Sequence, residues 1–391
     1  MNFILLSDYY HPIIKSGSII VGDLADELIN QGHSVLVVTF VDNQNKKIQL
    51  KKSANFVQVS IKSSLRKYGR IGRLWAEMSY SRQIINYFKK SKDIDVDGII
   101  CYSPSIFYGK AVRWLKKKNK VNSYLIIRDI FPKWALDSGV LKKGILYSYF
   151  KYVERNLYES NDFIGIEAKS DLSYFINYGL GHLKLIEVLN NWGSTSLKID
   201  KNIANNFLDL NKVNIVYGGN MGDAQDIFSL IKLIDFSILG SKAQLVLIGS
   251  GNQFKKIKEY VKDKKIRNVS LFPTVSRREY LSIMSEADVG LVSLGKNMES
   301  NNYPLKMIGY MQLSKPILAS VNKTNEIIQM IDDNNIGLVS IASDKDAFNK
   351  NLNDILVDND LRAERGLNAL NLFNNKFNVK VATSQITEHF L

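Results

Sequence analysis

Short runs of β-branched and aliphatic residues alternate with stretches of helical periodicity along the whole chain. That alternation restricts the fold to parallel α/β sheets. The chain opens with the apolar segment NFILLSDYY, a Gly17 flanked by serines, and GDLADELINQ, whose Leu24, Leu28 and Ile29 share a helical face. Gly32 and His33 close that helix before SVLVVTF, an apolar run of the kind buried on both faces of a parallel sheet. DGIICY, SYLIIRD and DFIGIE read as further strands, separated by helices around 80–90, 109–118 and 144–159. A second series follows the Asn-rich stretch NNWGSTSLKIDKNIANN: strands VNIVYGG, AQLVLIG, VSLFP, VGLVSL, PILAS and IGLVS, with helices between them.

At 391 residues the chain exceeds one ordinary core. The expectation is two facing Rossmann-like, doubly wound α/β domains with a cleft between them. They span 1–190 and 207–375, joined by a linker at 191–206, and a helix at 376–391 packs back on the first domain. The single cysteine, Cys101, excludes an intrachain disulfide and fits a reducing compartment. The N-terminus has no basic leader, and no stretch approaches the roughly 18–20 apolar residues of a spanning helix. The cytoplasm is therefore the expected location.

Net charge is +14 and lies mostly in residues 1–195, with 28 Lys and Arg against 17 Asp and Glu; residues 196–391 hold 24 against 21. Such a surface attracts phosphates of nucleic acid, anionic lipid or a diphosphate substrate. No nucleic-acid-binding module is present, so nucleic acid is not an expected partner.

Ligands of open parallel sheets bind beyond the carboxyl ends of the strands, and several loops there are rich in glycine. In VYGGNMGDAQDI a strand runs into Gly218, Gly219, Asn220, Met221 and Gly222, and Gln225 opens a helix expected to start near Ala224 to Asp226. Close backbone approach and amides at a helix N-terminus suit a diphosphate, although a tight turn alone explains the glycines. LIGSGNQFKK repeats the pattern with Gly249 and Gly251, followed by Lys255 and Lys256. Pro304 precedes a helix that carries Leu305 and Lys306, placing a lysine where it meets a phosphate or else stays a solvated surface charge. Arg128 and Asp129 end a buried strand in IIRDIFP, either as an ion pair closing the sheet edge or as groups that orient an acceptor. The four histidines, at 11, 33, 182 and 389, lack metal-ligand spacing, and no metal site is expected.

Together VYGGNMGDAQDI, LIGSGN, ADVGLVSL, YPLKMIGYMQLSKPIL and RDIFPKWALDSG resemble the retaining glycosyltransferase family 4 of GT-B fold. Within it they are most similar to the O-antigen and capsule N-acetyl-L-fucosamine transferases. The resemblance implies a UDP-sugar donor held by the second domain at Gly219 to Gly222 and Lys306, an acceptor held by the first, and no cofactor. It also implies that Ser16, Gly17 and Ser18 face the donor phosphates, and that transfer proceeds with retention and without metal. The chain departs from the family pattern in five places. The paired glutamates fall at Asn301 and Gly309, basic residues of the phosphate loops fall at Asn220 and Phe254, and Arg128 stands where many members have histidine. A sugar-nucleotide epimerase of the same fold and a catalytically silent partner subunit are the rival readings.

KSSLRKYGRIGRLWAEMSY mixes Lys62, Arg66, Lys67, Arg70 and Arg73 with Leu65, Tyr68, Ile71, Leu74 and Trp75, as at an anionic lipid surface. LKKGILYSYFKYVERNLY carries a stripe of Leu141, Ile145, Tyr149, Val153 and Leu157 that suits such a surface or packing on its own sheet. The expected partners are a nucleotide-sugar donor, a lipid-diphosphate-linked saccharide acceptor and the inner face of the cytoplasmic membrane.

Overall fold

A computed structural model describes residues 1–13, 16–42, 44–91, 94–137, 139–180, 185–296 and 303–391. The chain divides into two units, one of residues Met1–Asn191 with Val379–Leu391 and the other of Trp192–Asn378.

In the first unit eight strands form one sheet: β1 (Asn2–Leu6), β2 (Ser34–Val41), β3 (Ile48–Ser53), β4 (Phe56–Lys62), β5 (Gly98–Tyr102), β6 (Asn122–Ile126), β7 (Phe163–Ile166) and β8 (Leu185–Val188). Their order is β3-β4-β2-β1-β5-β6-β7-β8, parallel throughout except that β3 runs antiparallel to β4. The buried runs Phe3–Leu6, Val35–Val41 and Ile99–Tyr102 make the central strands, because a strand with helices on both faces must be apolar on both. β3, exposed along its whole length, was not expected: IQLKKS has no buried face to mark it.

In the second unit β9 (Val213–Asn220), β10 (Ala243–Ser250), β11 (Val269–Phe272), β12 (Val289–Ser293), β13 (Ile317–Val321) and β14 (Gly337–Ile341) pair in the order β11-β10-β9-β12-β13-β14, all parallel. Two apolar cores cover its faces, one around Val216, Met307, Ile308 and Ile317, the other around Ile215, Tyr217, Leu245 and Leu318. Strand order reverses between β9 and β12, so the loops after these strands splay apart and leave a crevice at their carboxyl ends.

The expected linker is a packed part of the second unit. Trp192 is fully buried, the Gly193 amide donates to the Phe377 carbonyl (2.8 Å), and the Asp200 amide donates to Ser282 Oγ (2.9 Å). Polar composition misled here, because one tryptophan and main-chain hydrogen bonds anchor the stretch. The helix Val379–Thr387 belongs to the first unit, where Gln385 donates to the Val188 carbonyl (3.0 Å) and Phe390 meets Phe3 edge to face.

Candidate functional site

The glycine loops after β9 and β10 lie against each other. Gly219 pairs with Gly249 in the sheet register, and a side chain at Gly249 would stand 1.8 Å from the Gly219 carbonyl oxygen. At Gly251 it would stand 2.4 Å from the Met221 carbonyl oxygen. Only glycine permits this approach. Met221 is buried, its amide donates to the Ser250 carbonyl (2.7 Å), and its carbonyl accepts from Gln253 (3.0 Å).

This geometry corrects one expectation. The helix begins at Ile227, not at Ala224 to Asp226, and Asp226 adopts a left-handed conformation before it. The amides of Gln225 and Asp226 donate to the Gly222 carbonyl, so with Met221 three amides of this turn are engaged inside the protein. Asn220 reaches Gln225 through Nδ2 (2.8 Å) at the surface.

Lys306 enters from the helix Leu305–Gln312, capped by Pro304 in extended conformation. Leu305 packs on the core, and Met307, Ile308, Tyr310 and Met311 are buried, which fixes the helix. The Lys306 ammonium lies 3.8 Å from the centre of the Tyr217 ring, and a side chain on Gly219 would sit 3.4 Å from it. It forms no ion pair among the described residues. Loss of water around it pulls its pKa from 10.5 down to about 7. The Tyr217 hydroxyl donates to the Asn220 carbonyl, tying the glycine turn to the ring beneath the lysine.

Two more tyrosines support this corner. A side chain at Gly218 would meet the Tyr280 ring at 2.1 Å, and one at Gly290 would meet Tyr310 at 2.3 Å, so these glycines let both rings lie on the sheet. Tyr280 donates to Tyr310 (3.2 Å), and Tyr310 to the Leu291 carbonyl (3.1 Å). At Gly309 a side chain would meet nothing within 4 Å. Asn301 lies outside the described residues. Lys255 is an exposed helix residue paired with Glu259 at 3.7 Å, and Phe254 packs on the core.

In the first unit, the Arg128 guanidinium is buried and donates through Nη1 to the Leu189 carbonyl (2.7 Å) and through Nη2 to the Asn190 carbonyl (3.3 Å). It braces the end of β6 against the chain leaving β8. Burial raises the Asp129 carboxyl, opposed by Arg128. The Glu167 carboxyl, buried after β7, is pushed up to about 7 by loss of water, with Arg128 opposing, and accepts from Asn191. Glu167 escaped the sequence reading, although it ends a buried strand in a charge just as Asp129 does. Gly17 and Ser18 are not in a loop but in the first turn of the helix Ser16–Asn30. There Ser18 is buried, and a side chain at Gly17 would touch the Tyr9 ring at 3.2 Å.

The basic, aromatic stretch splits into two faces. In the helix Gly69–Met78, Ile71 (73% exposed) and Trp75 (60%) point to solvent beside Tyr68 and Lys67, whereas Leu74 packs on the core. Arg73, expected to face a lipid surface, instead binds Glu77 (2.6 Å) and the Tyr9 hydroxyl (3.1 Å) and lies 3.9 Å from buried Asp8. The side chains of Arg66 and Arg70 lie outside the description. In the helix Ile145–Ser160, Ile145 (92%), Leu146, Tyr149 and Tyr152 are exposed near Lys142 and Lys143, while Leu141 and Val153 pack on the core and Leu157 is buried. Among the described residues no helix is long and apolar enough to cross a membrane, and no cluster of three His, Cys, Asp or Glu is placed to hold a metal ion.

Residues 198–371, most of the second unit, match the family model described as glycosyl transferases group 1. The probable glycosyltransferase WbjE of Pseudomonas aeruginosa is 24% identical over 241 residues, 60% of this chain and 57% of that protein. The putative colanic acid biosynthesis glycosyl transferase WcaI of Escherichia coli (strain K12) is 22% identical over 246 residues, 60% of each. The match thus spans under two thirds of these relatives' length. Sucrose-phosphate synthase of Thermosynechococcus elongatus superposes with a TM-score of 0.73 at 16% identity, over 99% of this chain and 97% of that one. The fold is GT-B, with two parallel-sheet α/β domains.

Proposed function

We propose that the chain is a retaining glycosyltransferase that moves a sugar, an N-acetylated deoxyhexosamine, from UDP to a lipid-diphosphate-linked saccharide in the assembly of a cell-surface polysaccharide. The observation that carries the reading is the Lys306 ammonium, held over Tyr217 beside Gly219 and, among the described residues, without an ion-pair partner. A half-buried cation of this kind, short of water, is stabilised by an anionic ligand, and a diphosphate supplies two negative groups at the end of a strand bordered by close-packed glycines. As the bond from the sugar's anomeric carbon to the diphosphate breaks, charge builds on the leaving oxygen and Lys306 opposes it. The acceptor hydroxyl attacks the same face and its proton passes to the departing diphosphate. No metal takes part. The glycosyltransferase relatives, one of them in colanic acid synthesis, support the substrate class. The protein works from the cytoplasm, peripheral on the inner membrane face. Exposed Ile71, Trp75 and Ile145 enter the lipid, and Lys67, Lys142 and Lys143 meet anionic headgroups.

Thermal unfolding with UDP, GDP, pyrophosphate and buffer tests the donor site, because a ligand that binds only the folded state raises the melting temperature. A shift with UDP, lost in Lys306→Met, is expected. No shift with any nucleotide would overturn the reading and leave the silent-partner alternative.

A further inference from the structure

We infer that Tyr217 is a positioning residue of this anion site: its ring face carries the Lys306 ammonium, its hydroxyl carries the Asn220 carbonyl, and the two together fix the distance between the charge and the glycine turn. Tyr217 is fully buried, so its ring and hydroxyl act through their neighbours and not on a ligand. The ammonium stands 3.8 Å from the ring centre, inside the range where the negative face of an aromatic ring attracts a cation. The same side chain donates to Asn220, the residue between Gly219 and Met221. The ring cannot swing away, because Tyr217 lies in β9 and packs within the core formed with Ile215, Leu245 and Leu318.

The chemical need is plain. A lysine deprived of water gives up its proton near neutrality, at about pH 7 here, and a neutral amine does not hold a diphosphate. Asp223 and Asp226 in the turn after β9 accept from Asn252 and Gln253, and among the described residues the titratable groups packed at the lysine's corner are the phenols of Tyr280 and Tyr310, both pushed upward by burial, Tyr310 to about 12. Neither changes charge in the neutral range, so an uncharged ring is what favours the protonated lysine.

The inference rests on the reading of Lys306 as the diphosphate's counter-charge, and the test separates the two. UDP affinity is measured by calorimetry from pH 6 to 9 for the wild type, Lys306→Met, Tyr217→Phe and Tyr217→Leu. Lys306→Met serves as the baseline for the ligand's own titration. Wild-type affinity is expected to fall as the pH rises through neutrality. Tyr217→Phe keeps that midpoint and loses about threefold at every pH, the share of one neutral hydrogen bond. Tyr217→Leu begins its fall at lower pH and is about tenfold weaker at pH 8. Should Tyr217→Leu fail to fold, Tyr217→Phe made with one, two and three ring fluorines keeps the shape and drains the ring face; its midpoint should step downward with each fluorine. A wild-type pH profile in Tyr217→Leu or across the fluorinated series would overturn the role of Tyr217 while leaving Lys306 in place. Unchanged UDP binding by Lys306→Met would instead remove the reading on which both stand.

Discussion

Charges near the carboxyl ends of the two sheets are handled in opposite ways. In the first unit the buried guanidinium of Arg128 donates to the carbonyls of Leu189 and Asn190, and the buried carboxyl of Glu167 accepts from Asn191. In the second, the Lys306 ammonium has a tyrosine ring beneath it and, among the described residues, no carboxylate paired with it. A charge whose hydrogen bonds end inside the protein braces the fold, whereas one left with only a ring face is kept ready for something from outside. On the proposed function, Arg128 serves structure and Lys306 a ligand, although sequence position made both look alike as charges beside strand ends.

The largest effect should come from cutting the brace. Arg128→Met leaves the buried Leu189 and half-buried Asn190 carbonyls without their donor, which costs about 2–4 kcal/mol in urea unfolding, while UDP affinity of the folded fraction stays within about threefold. A large selective loss of UDP affinity with normal stability would break the comparison. Next in size, Lys306→Met should weaken UDP about thirtyfold, near the 2 kcal/mol typical of truncating one partner of a buried charge pair, with pyrophosphate weakened alongside UDP.

Glu167→Gln sharpens the first half of the comparison. A carboxyl raised to about 7 favours its protonated form in the folded state, so the folded protein loses stability as the pH climbs from the ordinary glutamate range to about 7. Glutamine mimics the protonated acid and keeps the acceptor for Asn191. Stability should therefore rise by roughly 1–2 kcal/mol at pH 8 and be unchanged near pH 4, measured by urea unfolding at both values.

How far the sequence reaches follows the same physics. The βα alternation was legible because strands such as SVLVVTF are buried on both faces and must be apolar throughout; two doubly wound domains followed from it, and the GT-B fold from the resemblance of the motifs. The hairpin strand β3 was not, since a strand exposed along its length carries no periodic signal. The place of Lys306 at the start of a helix was legible from the proline before it. Tyr217 was not, because its role depends on a lysine that joins it only in the folded sheet, and within the strand VNIVYGG it looks like any other core residue. The faces of the 69–78 helix were half legible: Trp75 and Ile71 do lie outward, but Arg73 turns inward because Asp8, Tyr9 and Glu77 offer it partners from other parts of the chain or the next turn.

The smallest predicted effect is a stability gain that accompanies the loss of ligand binding in Lys306→Met. A lysine with a depressed pKa is held at a cost in its charged form; the folded state binds fewer protons than the unfolded chain between about pH 7 and the ordinary lysine range. Stability of the wild type therefore rises with pH across that window as the burden is relieved. Methionine has no charge to bury and fills similar space, so without ligand the variant should melt roughly 2 °C higher at pH 6, and the difference should shrink steadily as the pH approaches 10. Adding UDP at pH 6 should reverse the ranking, since only the wild type has the cation that binding rewards. A variant that melts lower than the wild type at pH 6 without ligand would mean that Lys306 is already satisfied inside the protein, as Arg128 is, and the distinction between the two sheet ends would collapse.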